Sequence, residues 1–137
     1  MSFGAAASVP RGRRLNAQAP CPCGGAKFGS CCGPVLAGAD ARDPEALMRS
    51  RYTAFALGDV RHLRDTWWPR TRPDDVGVDT DTDWLGLTME ASSAAGDEGR
   101  VSFRARWRNR RTGESGTLSE RSRFQRHSGR WYYVEAV

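Results

Sequence analysis

The spacing of apolar residues changes once along the main part of the chain, from a helical period to a strand period. Between Asp43 and Gly58, apolar residues recur three or four positions apart, which predicts a helix with one apolar face. Asp43 is a candidate N-cap for this helix, and Gly58 is placed to end it. Asp59 is a candidate cap for a second helix, which would end before Pro69. Two helices are therefore predicted between residues 44 and 68.

From Trp84 onward, apolar residues alternate with polar ones, which is typical of half-buried strands. The alternation is clearest in residues 101–108, where four apolar residues share one face. Turn signals separate four predicted strands, at residues 84–91, 101–108, 117–126 and 130–137. Two helices followed by an antiparallel meander predict an α+β domain, with the helices packed on one face of the sheet.

The first 43 residues show neither period and divide by composition. Residues 1–20 are rich in Ala, Gly, Pro and Arg and predict a flexible basic tail. Residues 21–34 hold every cysteine, and residues 35–43 are predicted to link them to a domain at 44–137. No apolar run approaches the ~18 residues that a membrane span needs, and the N-terminus does not match a secretory signal. We therefore expect a cytoplasmic protein.

All four cysteines fall within twelve positions: Cys21, Cys23, Cys31 and Cys32. A disulfide scaffold would spread its cysteines along the chain, whereas a cluster of four in a cytoplasmic protein favours metal binding. Four thiolates suffice for a closed tetrahedral Zn²⁺ site, with no position left for an activated water. We therefore predict a structural zinc knuckle. Buried free thiols and two disulfides remain as alternatives.

The cysteine segment and the domain both resemble known families. CPCG and CCGP resemble the SEC-C motif, a zinc knuckle, with a spacer of seven residues where eight is usual. The stretches LMRSRYTAF, WLGLT, VSFRARW, ERSRF and GRWYYVEAV resemble the YchJ family, although Trp68-Pro69 stands where its members commonly carry His-Pro. The resemblance implies a knuckle followed by a nuclear-transport-factor-2-like (cystatin-like) domain, in which two helices are cupped by a curved antiparallel sheet. It implies no biochemical role.

Charge is segregated along the chain, which has a formal net charge of +5. Residues 74–98 carry eight acids and no base, whereas residues 99–130 carry ten arginines. Either the two segments neutralise each other, or the arginines form a basic binding face. With a turn centred on Thr112 and Gly113, Arg104 would face Arg121 and Ser102 would face Arg123. The candidate anion-binding face is Arg104, Arg106, Arg121 and Arg123.

The opposite, apolar face of the same hairpin contains Glu120. A buried carboxylate must be paired or protonated, and Arg49 and Arg51 on the first helix are the candidate partners. The three residues form either a structural ion pair or the polar part of a ligand cavity. Both histidines, His62 and His127, are predicted to lie at the surface.

Three functions follow from these features. The first is a non-enzymatic zinc adaptor whose knuckle docks a protein or a ribonucleoprotein partner. The second is a small-molecule binder or enzyme that uses the cup around Glu120, Arg49 and Arg51. The third is a nucleic-acid-binding protein that uses its arginine face. The sequence has no glycine-rich phosphate loop and no nucleophile elbow, which favours a non-enzymatic protein.

Overall fold

This computed structural model describes residues 13–137 of the chain. Within them the chain forms three α-helices and four antiparallel strands. The helices are α1 (Cys32–Leu36), α2 (Pro44–Leu57) and α3 (Val60–Asp65), preceded by a 3-10 turn at Phe28–Ser30. The strands are β1 (Thr82–Ala95), β2 (Glu98–Asn109), β3 (Ser115–His127) and β4 (Arg130–Ala136). The strands pair in chain order as one meander. The α+β prediction is confirmed.

The ends of α2 form as its sequence predicts. The Asp43 carboxylate accepts a hydrogen bond from the Ala46 amide at 2.7 Å, and Gly58 ends the helix in the left-handed conformation with φ +77°. Helix α3 begins at the predicted Asp59 cap but ends at Asp65, not near Trp68. It ends early because the chain pairs with β4: the Trp68 amide donates to the Tyr133 carbonyl at 2.7 Å.

The sheet is bent by interruptions in its pairing. β1 shifts register against β2 between Trp84 and Gly86 and again between Met89 and Ala91, and such bulges bend a strand. Helix α2 packs on the apolar face of the sheet, against β1, β2 and β4. Apolar residues from both layers, Phe124 among them, form the core between them.

The predicted register of the β2–β3 hairpin is wrong by two residues. Arg104 pairs with Ser119, not with Arg121, and Ser102 pairs with Arg121, not with Arg123. The turn is longer than a two-residue loop because the Asn109 side chain accepts hydrogen bonds from the two amides that follow Arg110. A slip of two residues keeps every side chain on its predicted face.

The segments on either side of the cysteines are held to the rest of the structure. The end of the predicted tail at 1–20 is bonded to the knuckle: the Gly29 amide donates to the Ala17 carbonyl at 2.9 Å, and the Phe28 amide donates to the Ala19 carbonyl at 2.8 Å. Residues 1–12 of that tail lie outside the described residues. The predicted linker at 35–43 begins inside α1, and Arg130 binds its Asp40 at 3.0 Å.

Candidate functional site

The four cysteine sulfurs converge on one point. Cys21 and Cys23 lie in the loop before the 3-10 turn, and Cys31 and Cys32 lie at the start of α1. All four Sγ atoms lie within 4.8 Å of one another, and those of Cys23 and Cys31 are 3.5 Å apart. Four thiolates around a tetrahedral metal with bonds of about 2.3 Å have sulfurs about 3.8 Å apart. The cluster therefore fits a tetrahedral metal ion, and none of its cysteines is in a disulfide.

Gly25 leaves the space that the sulfurs occupy. A Cβ atom at this position would lie 2.8 Å from the Cys31 Sγ and 3.3 Å from the Cys23 Sγ. Because the first distance is shorter than Cβ contacts allow, any side chain here would push a sulfur away from the cluster. Gly25 is therefore part of the site, because only a residue without a side chain leaves the sulfurs where they are.

The cluster distributes protons unequally in the absence of metal. Hydrogen bonds, chiefly from the Cys32 side chain, lower the pKa of Cys23 to about 4. Burial, and then the neighbouring Cys23 sulfur, raises the pKa of Cys31 to about 11, and the pKa of Cys32 is also raised. A metal ion must therefore displace protons as it binds, so its affinity falls as the pH falls.

The knuckle is attached directly to α2. The Cys21 Sγ lies 3.7 Å from the Thr53 Oγ1, and the Arg49 guanidinium donates to the Cys23 carbonyl at 3.1 Å. Arg49 also pairs with Glu45 at 3.0 Å. The prediction that Arg49 pairs with Glu120 is therefore wrong. Residues two apart on a helix point about 200° apart, so Arg49 faces the knuckle while Arg51 faces the sheet.

A cavity of about 290 Å³ lies between α2 and the sheet, and we call it the apolar cup. Residues from α2, from the segment after α3 and from all four strands line it, and most of them are apolar or aromatic. The sequence predicted the apolar face of α2 but not that Trp67 and Trp84, which lie outside α2, would line the same cavity. The lining is Met48, Arg51, Tyr52, Phe55, Trp67, Trp84, Phe103, Ala105, Leu118, Glu120 and Tyr133.

Arg51 is the buried cation of the cup, with only 2% of its surface exposed. Its Nη1 donates to the Leu63 carbonyl and to the Thr66 Oγ1, both at 2.8 Å. Its guanidinium carbon lies over the rings of Trp67, at 5.1 Å, and Tyr133, at 4.4 Å. Burial lowers the pKa of Arg51 to about 10, with nearby negative groups offsetting part of that effect.

Glu120 lies in the same cup, on the face that the alternation predicts. Its Oε2 accepts hydrogen bonds from the Ser122 hydroxyl at 2.7 Å and from the Tyr133 hydroxyl at 3.4 Å. Burial, and then the charge of Glu120, raises the pKa of Tyr133 to about 12. Arg51 and Glu120 thus share one cavity, but no salt bridge joins them among the described residues, contrary to the predicted ion pair.

Three of the four arginines of the predicted anion-binding face have partners within the fold, and the fourth, Arg121, is exposed. Arg104 pairs with Glu90 on β1, and Arg123 pairs with Glu135 on β4, both at 2.9 Å. Arg106 donates to a β1 carbonyl. The acidic segment also pairs with arginines at the sheet ends, through Asp81, Asp83 and Asp97. Intramolecular pairing therefore accounts for much of the charge segregation.

The two histidines differ in environment. His127 is exposed, as predicted. The prediction for His62 is wrong, because only 6% of its surface is exposed and its Nε2 lies 2.8 Å from the Ser50 Oγ. Burial, together with the positive charges of Arg51 and Arg130, lowers the pKa of His62 to about 4. The sequence does not reveal this burial, since the polar neighbours of His62 lie on the other faces of a short helix.

An open groove of about 1040 Å³ runs along the side of the knuckle, and we call it the arginine-rimmed groove. Its apolar surface comes from two places: the segment around the cysteines contributes Phe28, Val35 and Leu36, and β4 contributes Trp131. Within the described part of the chain, five arginines and two aspartates line it: Arg13, Arg14, Arg61, Arg72, Arg130, Asp59 and Asp65.

None of the described helices is both long enough and apolar enough to span a bilayer.

A cysteine knuckle that packs on helices covering one face of a bent antiparallel sheet defines a class of protein, a SEC-C knuckle joined to a nuclear-transport-factor-2-like domain. A family model described as "YchJ, middle NTF2-like domain" matches residues 43–136. The chain belongs to the YchJ family, which confirms the resemblance read from its motifs.

Relatives and solved structures agree with this assignment. A UPF0225 protein of Xanthomonas oryzae pv. oryzae is 46% identical over 121 residues, covering 85% of this chain and 93% of the relative. A UPF0225 protein of Streptomyces coelicolor is 45% identical over the same shares. The solution structure of a SEC-C motif containing protein from Rhodopseudomonas palustris matches with a TM-score of 0.77 and 38% identity, covering 85% of this chain and 96% of that one. A SEC-C motif containing protein from Psychrobacter arcticus, at 22% identity and a TM-score of 0.69, shares the fold.

Proposed function

We propose that this chain is a non-enzymatic zinc adaptor: a structural Zn²⁺ holds the knuckle on the domain, and a partner protein docks in the arginine-rimmed groove. One observation carries the proposal. Phe28, Val35 and Leu36 line the groove and belong to the same short segment as the cysteines. A metal that orders this segment therefore also orders one wall of the docking surface.

The donor set favours zinc and a structural role. Cys21, Cys23, Cys31 and Cys32 offer four sulfurs, and soft thiolates in a tetrahedral arrangement select Zn²⁺ over hard cations. With four protein ligands, the ion has no open position for a substrate or a water. A bound Zn²⁺ would therefore stabilise the knuckle and would leave chemistry to other parts of the molecule.

The groove favours a partner segment that is both acidic and apolar. Its five arginines exceed its two aspartates, and its lining includes aromatic and aliphatic side chains. Residues 1–12 of this chain carry Arg11 and no acid, so they do not match the charge of the groove. The two aspartates among the arginines suit a peptide with spaced carboxylates better than the regular charges of a nucleic acid.

Two measurements on the full chain test the proposal. Native mass spectrometry should find one Zn²⁺ per chain, lost on denaturation. Fluorescence anisotropy should then show that a short labelled peptide of alternating Glu and Leu binds, while the matched Lys and Leu peptide does not. Arg61→Glu in the groove should weaken binding at least tenfold, whereas Arg100→Glu on β2 should not. Removal of zinc should also weaken it.

The possible results separate the parts of the proposal. A chain without metal would overturn the zinc centre and the adaptor together. A zinc-loaded chain that binds both peptides equally would overturn the docking groove alone. Tighter binding of a single-stranded oligonucleotide than of the acidic peptide, with a steep loss of affinity in salt, would replace the protein partner with a nucleic acid.

A further inference from the structure

The apolar cup has the size and the walls of a small-ligand site. Its volume of about 290 Å³ lies at the lower end of the range for ligand cavities, roughly 300–1,000 Å³, which limits the occupant to a small molecule. Aromatic rings from three parts of the chain, Tyr52, Trp67 and Trp84 among them, form much of the lining. Flat aromatic walls favour a ring or another compact apolar group.

Trp67, one of the residues that line the cup, carries a polar atom with no hydrogen-bond partner among residues 13–137. The indole nitrogen of Trp67 is buried, and among residues 13–137 no acceptor lies within hydrogen-bonding distance of it. Buried N–H groups in folded proteins nearly always have a partner, because leaving one unpaired is costly. An acceptor on a molecule bound in the cup would supply one. This observation does not depend on the cavity volume.

The charges of the cup select against a charged ligand. Arg51, which is 2% exposed, and Glu120 line the same cavity with opposite formal charges. An anion would be held near Glu120 and a cation near Arg51, each at the cost of its hydration. A neutral group that both accepts and donates a hydrogen bond can meet both residues without that cost.

We propose that the apolar cup binds a small uncharged molecule that carries a ring and one neutral polar group, such as a primary amide. The ring packs between α2 and the sheet. The carbonyl of the amide accepts from Arg51 or Trp67, and its N–H donates to Glu120. This site lies on the sheet side of α2, whereas the cysteines contact the opposite side through Arg49 and Cys23, so the proposal is independent of the zinc centre.

Four probes of similar size and different charge test the proposal on the zinc-loaded full chain. They are benzamide, benzoate, benzylamine and toluene, titrated into ¹⁵N-labelled protein. The indole N–H signal of Trp67, assigned by its loss in Trp67→Phe, should move downfield and saturate with benzamide. Benzoate and benzylamine should bind at least tenfold more weakly. Toluene should bind without the downfield shift, because it has no acceptor.

Variants locate the binding and its charge selection. Ala105→Phe fills the cup and should abolish benzamide binding, whereas Ala91→Phe, the same change at an exposed position of β1, should not. If Ala105→Phe does not fold, Leu118→Trp narrows the cup from a side chain that is 40% exposed. Glu120→Gln should raise benzoate affinity relative to benzamide at least tenfold, since Arg51 is then unopposed.

The proposal has three ways to fail. It is overturned if none of the four probes shifts the Trp67 signal, or if the shifts survive both Ala105→Phe and Leu118→Trp. Preferential binding of benzoate or benzylamine by the unmodified chain would overturn the neutral ligand. None of these results bears on zinc stoichiometry or on peptide binding in the groove.

Discussion

The knuckle and the apolar cup differ in how their parts are spaced along the sequence. The metal-ligand candidates of the knuckle lie within residues 21–32, whereas the lining of the cup extends from Met48 to Tyr133. A short segment can converge on an ion with little packing of its own, but a cup needs helices and sheet to be in place first. The first site is therefore local and, in our proposal, depends on a metal ion, whereas the second depends on the tertiary fold.

The largest expected effect comes from removing the metal. Zinc binding contributes about 10–16 kcal/mol in zinc-finger peptides, and the knuckle has little core of its own to replace it. After chelation at neutral pH, amides in residues 21–36 should lose most of their protection from hydrogen exchange. Amides around Phe103 and Phe124, in the centre of the sheet, should keep most of theirs.

A uniform loss of protection across the chain would break this comparison. It would show that the knuckle and the domain unfold as one unit. The structure contains a contact that could couple them. Cys21, Cys23 and Cys32 belong to the same buried cluster as the core residues of α2. Cys31→Ser removes the least buried of the four sulfurs. This variant tests the same comparison with less disturbance of the core than removal of the metal.

The next largest effect should come from Arg51, the buried cation of the cup. Arg51→Met keeps most of the side-chain volume but leaves the Leu63 carbonyl and the Thr66 hydroxyl without their charged donor. Because hydrogen bonds to charged groups contribute roughly 1.5–3 kcal/mol each, we expect unfolding free energy to fall by about 3 kcal/mol in urea titrations. Arg49→Met, two positions away on the same helix, should lower it by less than about 1 kcal/mol. Equal losses would show that Arg51 is no more important to the domain than a partly exposed residue.

The sequence predicted the parts of this structure that depend on short spacing. Caps fixed the limits of α2, alternation fixed the faces of β2, and the clustering of four cysteines identified the candidate metal ligands. Each of these signals lies within a dozen or so residues. The YchJ motifs added the arrangement of helices on the sheet, which spacing alone gives only as a fold class.

The sequence did not predict features that depend on which elements meet. Arg49 and Arg51 look equivalent as partners for Glu120, but the rotation of α2 turns one to the knuckle and the other to the cup. His62 looks exposed among arginines and aspartates, yet its ring is buried against Ser50. The hairpin slip arose because the side chain of Asn109 organises a longer turn, which the Thr-Gly pair does not reveal.

An effect no larger than that of Arg51 is expected from pH, through His62. Its pKa is about 4 in the folded chain and about 6.5 in an unfolded one, so between these values the unfolded state binds the proton and the folded state does not. The contribution of neutral His62 to stability is therefore fully present above pH 6.5 and is lost as the pH falls towards 4, by up to about 3 kcal/mol.

Urea titrations of unmodified protein and His62→Gln across this pH range isolate the effect. Both proteins keep their four cysteines, so the loss of metal in acid cancels in the difference between them. The gap in unfolding free energy should shrink as the pH falls. His127→Gln, at an exposed position, is the matched control and should follow the unmodified protein. A gap that does not change with pH would mean that His62 titrates normally in the folded chain.

The smallest expected effect concerns the contact that joins the two regions. Arg49 donates to the Cys23 carbonyl at 3.1 Å and is held there by Glu45, so it would act on a bound metal through the loop that carries the proposed ligand Cys23. Loss of such a supporting group typically weakens metal binding by 10–100-fold. Arg49→Met should therefore release zinc to a competing chelator about tenfold more readily while the sheet keeps its stability. Arg42→Met is the matched control, because its side chain is 87% exposed and contacts Asp43 and not a cysteine loop. If Arg49→Met and Arg42→Met release zinc to the chelator equally readily, the contact between Arg49 and the Cys23 carbonyl does not affect metal affinity. The knuckle would then be held by its metal and by the packing of Cys21 on Thr53.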